Sequence, residues 1–405
     1  MPRLLFLAHR IPYPPDKGEK IRAFHILRHL ARRFEVEVGC LVDDPADLRH
    51  VPALAAEVAA VEAHPLPGGV RAYLRALWHL RPGGTLTRGW FHSPALSAWV
   101  ARGLAAGRWE AVFVYSSAMA PYVMDAPRVP AAQVRVLDLV DVDSQKFAAY
   151  AAAPSGPLGG LMRRVHAREA AMLLALERAA AAAFDRTFLV SEAEAALFRG
   201  LAPEVAGRVA ALENGVDAAR FDPTQAFPNP LRHPSPNIVF TGAMGYRPNI
   251  EAVTWFAEAV LPRLAGRLPP VGFHIVGANP APAVRALASR PGVVVTGTVP
   301  DVRPYLAHAD LAVAPLRIAR GIQNKVLEAM AMAVPVVATP EAFEGVRAEP
   351  GRDLLVAEGA EAFADAVVSV LSGHHPGLGV RGRQAVRAGH DWSATLAPLD
   401  EVLPG

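Results

Sequence analysis

The sequence predicts an α/β protein made of two parallel-sheet domains. Apolar, strand-like runs alternate with helical stretches along most of the chain, a pattern typical of parallel sheets covered by helices on both faces. The length of 405 residues suits two domains. One stretch, DPTQAFPNPLRHPSP at 222–236, holds five prolines and has no apolar periodicity. We therefore predict one Rossmann-like domain at 1–221, a linker at 222–236 and a second domain at 237–385.

The first half holds five predicted strands and two predicted helices. Helical stretches cover 20–33 and 161–184. The strand-like runs are LLFLA (4–8), VEVGCLV (36–42), AVFVYSS (111–117), VRVLDLVDV (134–142) and RTFLVS (186–191).

The second half repeats this alternation, and several of its runs end in Gly or Pro, where a loop should begin. Helices are predicted at 252–264 and 302–308. The predicted strands are NIVFTGAM (237–244), VGFHIVGA (271–278), VVVTGTV (293–299), LAVAPL (311–316), VPVVAT (334–339) and DLLVA (353–357).

Composition narrows the class of protein. Hydrophobic residues make up 52% and charged residues 20% of the chain, which indicates a globular protein. The single cysteine, Cys40, excludes an intramolecular disulfide and has no spacing partner for a metal site. The apolar run at 4–8 is too short for a signal peptide, and no run approaches the ~18 apolar residues of a membrane span. We expect a cytoplasmic protein.

Positive charge is concentrated in the first half. Residues 1–235 carry a net charge of +4 and residues 236–405 a net charge of −1. Between Glu62 and Glu110 there is no acidic residue, and four of the six tryptophans fall there. This mixture predicts docking on an anionic membrane surface, and the alternative is a buried aromatic core beside a solvated basic face. The residues are Arg71, Arg75, Arg81, Arg88, Arg102 and Arg108 with Trp78, Trp90, Trp99 and Trp109.

The clearest binding motif follows a predicted strand in the second half, in PLRIARGIQNKVLEAMAMAVPVVAT (315–339). Ligands of open parallel sheets bind beyond the carboxyl ends of the strands. Gly321 stands where we expect a helix to begin, so the backbone N–H groups of 321–324 should face an anion. Lys325 and Glu328 share one helical face, where the ammonium suits a diphosphate and the carboxylate suits ribose hydroxyls. The alternative for this pair is a solvated surface ion pair.

The same segment resembles the donor-site signature of glycosyltransferase family 4, whose members are retaining enzymes of the GT-B fold. Three further stretches agree in order and spacing: LVSEAEAALF (189–198), LENGVDAARFDP (212–223) and IVFTGAMGYRPNIEAVTWF (238–256). The chain is more closely similar to sugar transferases associated with PEP-CTERM exopolysaccharide systems, through HRIPYPPDKGEKIR (9–22), LVDDP (41–45) and LDLVDVDS (137–144).

The resemblance implies two domains facing across a cleft and a terminal helix, 386–405, that packs back on the first domain. It implies a nucleotide-diphosphate sugar as donor and co-substrate, a glycan or lipid-linked acceptor, retention of configuration, and neither a metal nor another cofactor. Glu328 would hold the ribose, and the region of Lys325 the diphosphate. The implied donor set is Gly242, Arg247, Asn249, Gly277, Arg320, Gly321, Ile322, Gln323, Asn324, Lys325 and Glu328.

The sequence departs from the family pattern at two places in the donor set. Arg320 stands where the family usually has a second glutamate, and the loop after the first strand of the second domain supplies only Arg247 where an Arg and a Lys are usual. We hypothesise that Arg320 faces phosphate instead.

The first domain should assist at the anomeric carbon, and Asp141 is our candidate catalytic residue there, beside Lys325 and Glu328. Asp141 and Asp143 lie two apart, which leaves three interpretations: acceptor-orienting carboxylates, an Asp-x-Asp metal site, or caps of the next helix. The family's paired glycines are reduced to Gly18, flanked by Lys17 and Lys20. Lys20 faces either phosphate or solvent. His9 and His25 are candidate bases of the acceptor site, and the alternative is that both histidines are structural.

Three other functions compete with a transferase. Some nucleotide-sugar epimerases share the two-domain architecture, but a soluble epimerase needs no extended acceptor surface such as the basic first domain offers. A non-catalytic nucleotide-sugar-binding partner of a polysaccharide assembly is the interpretation that Arg320 favours. Nucleic-acid binding rests only on a pI near 9.2, and no recognised motif supports it.

Overall fold

The structure is a computed structural model that describes residues 1–15, 18–66, 84–124, 126–129, 132–152, 159–231, 236–319 and 322–403. It divides into two compact units. Unit 1 comprises Met1–Glu213 together with Leu396–Gly405, and unit 2 comprises Asn214–Thr395.

The boundary between the units lies earlier than the predicted linker at 222–236. The chain joins unit 2 from Asn214 onward, because its backbone is bound there: Val216 N–H donates to the His390 carbonyl at 2.7 Å, and the Arg383 guanidinium donates to the Phe221 carbonyl at 2.8 Å. The prolines of the linker therefore follow a segment that is already attached.

Unit 1 contains a seven-stranded parallel sheet in the order β3-β2-β1-β4-β5-β6-β7. Its central strands are fully buried, as the apolar run 4–8 predicts: Leu4, Leu5, Phe6 and Leu7 have no exposed surface. The strands are β1 (Arg3–Ala8), β2 (Glu35–Val42), β3 (Ala60–Pro65), β4 (Ala111–Tyr115), β5 (Val134–Val140), β6 (Arg186–Leu189) and β7 (Val209–Ala211).

Helices and short turns connect these strands. The described α-helices of this part are α1 (Gly18–Leu30), α2 (Val51–Ala55), α3 (Leu86–Trp90), α4 (Pro94–Ala105), α5 (Asp143–Ala152), α6 (Gly159–Ala183) and α7 (Glu192–Leu201). Single 3-10 turns lie at Pro45–His50, Ser117–Tyr122 and Pro203–Arg208.

Unit 2 contains a six-stranded parallel sheet in the order β10-β9-β8-β11-β12-β13. Its strands are β8 (Asn237–Thr241), β9 (Gly272–Val276), β10 (Val293–Gly297), β11 (Leu311–Ala314), β12 (Val336–Ala338) and β13 (Leu355–Val356). Its helices are α8 (Arg247–Trp255), α9 (Pro282–Ala286), α10 (Arg303–Ala307), α11 (Asn324–Ala331), α12 (Pro340–Phe343), α13 (Ala360–Leu371), α14 (Leu378–Gly389) and α15 (Trp392–Thr395). A π-helical turn (Phe256–Val260) and two 3-10 turns (Leu261–Leu264, Leu287–Ser289) complete the connections.

The C-terminus is not one helix over 386–405. The last turn of α14, the break after Gly389 and the short α15 belong to unit 2, and only α16 (Ala397–Val402) is grouped with unit 1. Asp400 of α16 accepts hydrogen bonds from His29 Nε2, at 2.9 Å, and from the Arg33 guanidinium, both in unit 1.

Among the described residues, the structure contains no helix that is both long and apolar enough to cross a membrane.

Candidate active site

The strand order places a ligand crevice in unit 2 between β8 and β11. These strands are neighbours, yet the chain runs outward from them in opposite directions along the sheet. In such sheets, ligands bind beyond the carboxyl ends of the strands at this switch in order. The loops after β8 and β11 are those that carry the predicted donor residues.

The helix after β11 begins later than predicted. Helix α11 starts at Asn324, with Gln323 as its N-cap residue in an extended conformation, so Ile322 and Gln323 precede the helix. Arg320 and Gly321 lie outside the described residues. The amphipathic run VLEAMA sets this start, since Val326, Leu327, Ala329 and Met330 pack into the core. The unsatisfied N–H groups of a first turn are therefore those of the residues around Lys325.

Lys325 extends from α11 toward β8. Its Nζ lies 5.6 Å from the centroid of the Phe240 ring and donates to Gln323 Oε1 at 3.2 Å. Burial lowers the pKa of Lys325 to about 8, although Glu328 opposes the shift. An ammonium held beside an aromatic ring in a poorly hydrated crevice is a strong partner for a phosphate group.

Glu328 lies one turn further along the same helix. Burial raises the pKa of its carboxyl to about 7, and Lys325 and Arg220 oppose the shift. Within the described part of the chain, the ammonium and the carboxylate are not within 4 Å of each other, and both side chains are largely shielded from water. They are therefore not the solvated surface ion pair of the alternative interpretation.

Two glycines form the floor beneath Lys325. A Cβ on Gly277 would lie 1.6 Å from the carbonyl oxygen of Gly242, and a Cβ on Gly242 would lie 2.8 Å from Asn249 Nδ2 and 3.5 Å from Lys325 Cε. The Gly242 N–H donates to the Val276 carbonyl at 3.0 Å, which joins the ends of β8 and β9. The predicted residues Gly242, Gly277, Asn249 and Lys325 thus meet at one place.

Asn249 adds an unused acceptor to this floor. It is 4% exposed and donates from Nδ2 to the Ala243 carbonyl at 3.0 Å, while its buried Oδ1 has no partner among the described residues. A buried amide oxygen without a partner costs free energy that a ligand donor would recover. Arg247, the first residue of α8, is exposed on the surface of the same loop.

In unit 1, His9 follows β1 and is held between two rings. It stacks on Tyr115 at 5.8 Å and meets the edge of the Phe91 ring at 5.3 Å. Its buried Nδ1 has no partner among the described residues, and burial lowers its pKa to about 4. His9 is therefore a neutral imidazole at pH 7, which a base or a hydrogen-bond acceptor requires.

Asp141 and Asp143 come together after β5, at the ammonium of Lys146. Lys146 Nζ lies 2.8 Å from Asp141 Oδ2 and 3.1 Å from Asp143 Oδ1, and the two carboxylates raise the pKa of Lys146. Asp143 also opens α5 and accepts a long bond from Ser117 Oγ at 3.4 Å. No sequence pattern singled out Lys146, although it lies three residues beyond Asp143.

The prediction that Lys20 faces phosphate or solvent was wrong. Lys20 is 4% exposed, and its Nζ is bonded to Asp47 Oδ2 at 2.7 Å, because Asp47 sits on the 3-10 turn that follows β2. Gly18 is the exposed first residue of α1, and a Cβ there would meet nothing within 4 Å. Lys17 lies outside the described residues.

Ion pairs join three segments of unit 1, namely 9–22, 41–45 and 137–144. Arg10 Nε is bonded to Asp43 Oδ2 at 2.8 Å, and Arg22 Nε to Asp138 Oδ2 at 2.8 Å. The Arg22–Asp138 pair is almost completely buried, so losing either partner would leave a buried charge. These motif residues hold the carboxyl edge of the sheet together.

Comparison with known proteins agrees with this geometry. Residues 235–373 match a family described as glycosyl transferases group 1. The matched region contains strands β8 to β13 and the crevice between β8 and β11. No curated protein matches the chain.

Solved structures match the whole chain at low sequence identity. Sucrose-phosphate synthase from Thermosynechococcus elongatus has a TM-score of 0.64 and 17% identity, over 99% of this chain and 98% of its own. HepE from Anabaena, solved with UDP and glucose, has a TM-score of 0.62 and 16% identity, over 99% of both chains. WaaG, a glycosyltransferase involved in lipopolysaccharide biosynthesis, has a TM-score of 0.62 and 16% identity, over 99% of this chain and 100% of its own. These similarities show the fold of GT-B glycosyltransferases.

The aromatic and basic stretch between Glu62 and Glu110 contributes in part to the hydrophobic core of unit 1. Trp109 is fully buried and packs 5.2 Å from Trp99, while Arg108 pairs with Glu37 at 2.8 Å and lies over both indole rings. Trp109 therefore faces the protein interior, where it packs against Gly103 of α4, and does not face a membrane. Arg71, Arg75, Arg81 and Trp78 lie outside the described residues.

Proposed function

We propose that the chain transfers a sugar from a nucleotide-diphosphate sugar to a glycan or lipid-linked acceptor, with retention, as a family 4 enzyme of exopolysaccharide biosynthesis. The observation that carries this proposal is the crevice at the β8/β11 switch, where Lys325 and Asn249 lie against the glycine floor and Glu328 lies one turn further along α11. A cation for diphosphate, a carboxylate for ribose and an unsatisfied amide oxygen together suit a nucleotide.

The donor would bind with its diphosphate beside Lys325 and the first turn of α11, and with its ribose hydroxyls on Glu328. Arg320 and Gly321 would add phosphate contacts from the segment before the helix. Retention needs no protein nucleophile when the leaving phosphate oxygen of the donor guides the incoming hydroxyl. His9 and Asp141 would then position the acceptor from unit 1.

A donor panel tests this proposal. Thermal shifts with UDP-, GDP-, ADP- and dTDP-sugars identify the nucleotide, since a ligand at 100 times its Kd stabilises the protein by ~2.7 kcal/mol. Donor hydrolysis without acceptor, followed by product analysis, separates the alternatives: a free sugar with retained configuration supports a transferase, and an epimerised nucleotide sugar supports an epimerase. Binding without any turnover would contradict an active enzyme and favour a non-catalytic partner.

Nucleotide affinity should depend on pH through Lys325. Its pKa of about 8 in the free protein means that the ammonium, which is the binding form, is lost as the pH rises above 8. We expect the association constant to fall by up to ~10-fold per pH unit above 8, because bound diphosphate raises this pKa. Titration calorimetry from pH 7 to 10 measures the association constant. Lys325→Met should remove this alkaline decline, and a decline that persists in the variant would assign it elsewhere.

We also propose that unit 1 meets an anionic membrane surface on its cytoplasmic side. The proposal is supported by exposed apolar side chains near the end of α5 and the start of α6. Tyr150, Leu161 and Met162 are 57%, 66% and 47% exposed. Arg163 and Arg164, which follow them on α6, are also exposed. No acidic residue occurs between Asp143 and Glu169. Apolar side chains mixed with arginines suit the headgroup region of a bilayer.

Vesicle co-sedimentation tests the docking. Binding to anionic vesicles should weaken with salt, and Arg163→Glu/Arg164→Glu should reduce it by ~10-fold or more, since each Arg near the surface contributes ~1 kcal/mol. Arg263→Glu, at an exposed arginine of unit 2, serves as control. Equal binding to neutral and anionic vesicles, or none at low salt, would contradict the proposal.

A further inference from the structure

Unit 1 contains a pocket that none of the predicted site residues lines. It has a volume of about 50 Å³ and lies between α3, the start of α4 and the turn Ser117–Tyr122. Its walls include Arg88, Phe91, His92, Ser97 and Tyr122. A guanidinium, a hydroxyl and three rings in one small concavity form a polar pocket with apolar faces, which is the composition of a small-ligand site.

The pocket adjoins the switch in strand order of the first sheet. The turn Ser117–Tyr122 directly follows β4, and β4 lies next to β1, where the order of the strands reverses. The wall residue Phe91 is in edge contact with His9, which follows β1. A ligand in this pocket would therefore lie one ring away from the neutral imidazole at the carboxyl edge of the sheet.

The charge of Arg88 is not neutralised by the described parts of the chain. Its guanidinium has no carboxylate within 4 Å there, although it is partly buried. The neighbouring carboxylate, Glu169, is occupied: it accepts from Leu86 N–H and Thr87 N–H, each at 2.9 Å, and from Thr87 Oγ1 at 3.0 Å. A half-buried guanidinium without an ion pair gains most from an anion that enters its pocket.

The walls of the pocket are fixed before any ligand arrives. Thr85 Oγ1 accepts from Arg88 N–H at 2.8 Å and holds the backbone of this arginine at the start of α3. The Tyr122 hydroxyl accepts from Ser93 N–H at 2.7 Å and donates to the Phe91 carbonyl at 2.8 Å, while the His92 ring stacks on Tyr122 at 6.2 Å. Such preorganisation reduces the entropy cost of binding.

We propose that this pocket binds the carboxylate or phosphate group of an anionic sugar unit, with this group on Arg88. Naming this sugar as part of the acceptor rests on the proposed transferase function, whereas the binding itself does not. The acceptor would then be an acidic glycan or a phosphorylated sugar, and a neutral glycan would lack the partner for Arg88.

Direct binding of monosaccharides tests the pocket without turnover. Saturation-transfer NMR or calorimetry on the full chain compares D-glucuronate, glucose 6-phosphate and glucose. We expect at least one anionic sugar to bind ~10-fold or more tightly than glucose, and Arg88→Gln to remove this preference. Arg88→Lys should retain part of it, which separates loss of charge from disturbance of the fold. Arg102→Gln is the matched control, since Arg102 is an exposed arginine on the adjacent α4.

Equal binding of glucose and both anionic sugars, or an unchanged preference in Arg88→Gln, would overturn the proposal. The stronger of the two anionic sugars identifies carboxylate or phosphate as the recognised group. Donor hydrolysis by the same preparations provides the independent check. Anionic-sugar binding through Arg88 in a protein without hydrolysis would leave the pocket assigned and the transferase proposal contradicted.

Discussion

Lys325→Met should weaken nucleoside-diphosphate binding by ~10- to 100-fold, because it removes a charge-assisted contact of roughly 1.5–3 kcal/mol. The substitution should not lower the free energy of unfolding, since the depressed pKa of Lys325 shows that the site disfavours the ammonium when no ligand is present. Calorimetry with the nucleoside diphosphate that the donor panel selects measures the first quantity, and thermal unfolding measures the second. A merely structural lysine would show the reverse pattern.

Glu328→Gln isolates the ribose contact of the same helix. The amide keeps the volume of the carboxylate but loses its second acceptor oxygen, so the variant should discriminate less between the nucleoside diphosphate and its 2′-deoxy and 3′-deoxy analogues. Arg290→Ala, at an exposed arginine paired with Glu258 at 3.2 Å, provides the control for a lost surface charge. If both Lys325→Met and Glu328→Gln left the affinity for the nucleoside diphosphate unchanged, the nucleotide would not bind in this crevice.

The sequence predicted the parts of the fold in which local pattern and burial agree. The strands at the centre of each sheet are short apolar runs, and all of them were found. The missed strands, β3 and β7, are peripheral: β3 is partly exposed along its length and contains Glu62, His64 and a terminal Pro65, while β7 has only three residues. An edge strand has neither the continuous apolar run nor the strict alternation that identifies a strand.

The candidate site was predicted where one segment of chain carries it, or where residues follow the carboxyl ends of neighbouring strands, as Gly242 and Gly277 do. Lys325 and Glu328 share a helix, so their spacing alone placed them together. The pairs Lys20–Asp47 and Arg22–Asp138 depend on contacts between distant segments, 116 residues apart in the second case, and no local pattern indicates them. The same applies to the pocket at Arg88, whose walls come from α3, α4 and the turn after β4.

Among the Gly→Ala substitutions at described residues of unit 2, Gly277→Ala should lower the free energy of unfolding most. The added Cβ would lie 1.6 Å from the carbonyl oxygen of Gly242 and 2.7 Å from its carbonyl carbon, and neither backbone atom can rotate away. The ends of β8 and β9 would have to separate, although Gly242 N–H and Met244 N–H are bonded across them at 3.0 and 2.7 Å. We expect a loss of ~3 kcal/mol or more, since overpacking costs 1–3 kcal/mol even where side chains yield.

For a unit of this size that loss corresponds to a fall of roughly 6–12 °C in Tm, or to insoluble protein. Gly297→Ala is the matched control: Gly297 also ends a strand of this sheet and has a φ of +71°, but a Cβ there would meet nothing within 4 Å. It should lose only the ~1 kcal/mol of left-handed strain. Any folded Gly277→Ala protein should also bind nucleotide less tightly, because the Gly242 carbonyl that must move belongs to the floor beneath Lys325. Equal melting temperatures for the two variants would show that the loops after β8 and β9 are not in contact as described.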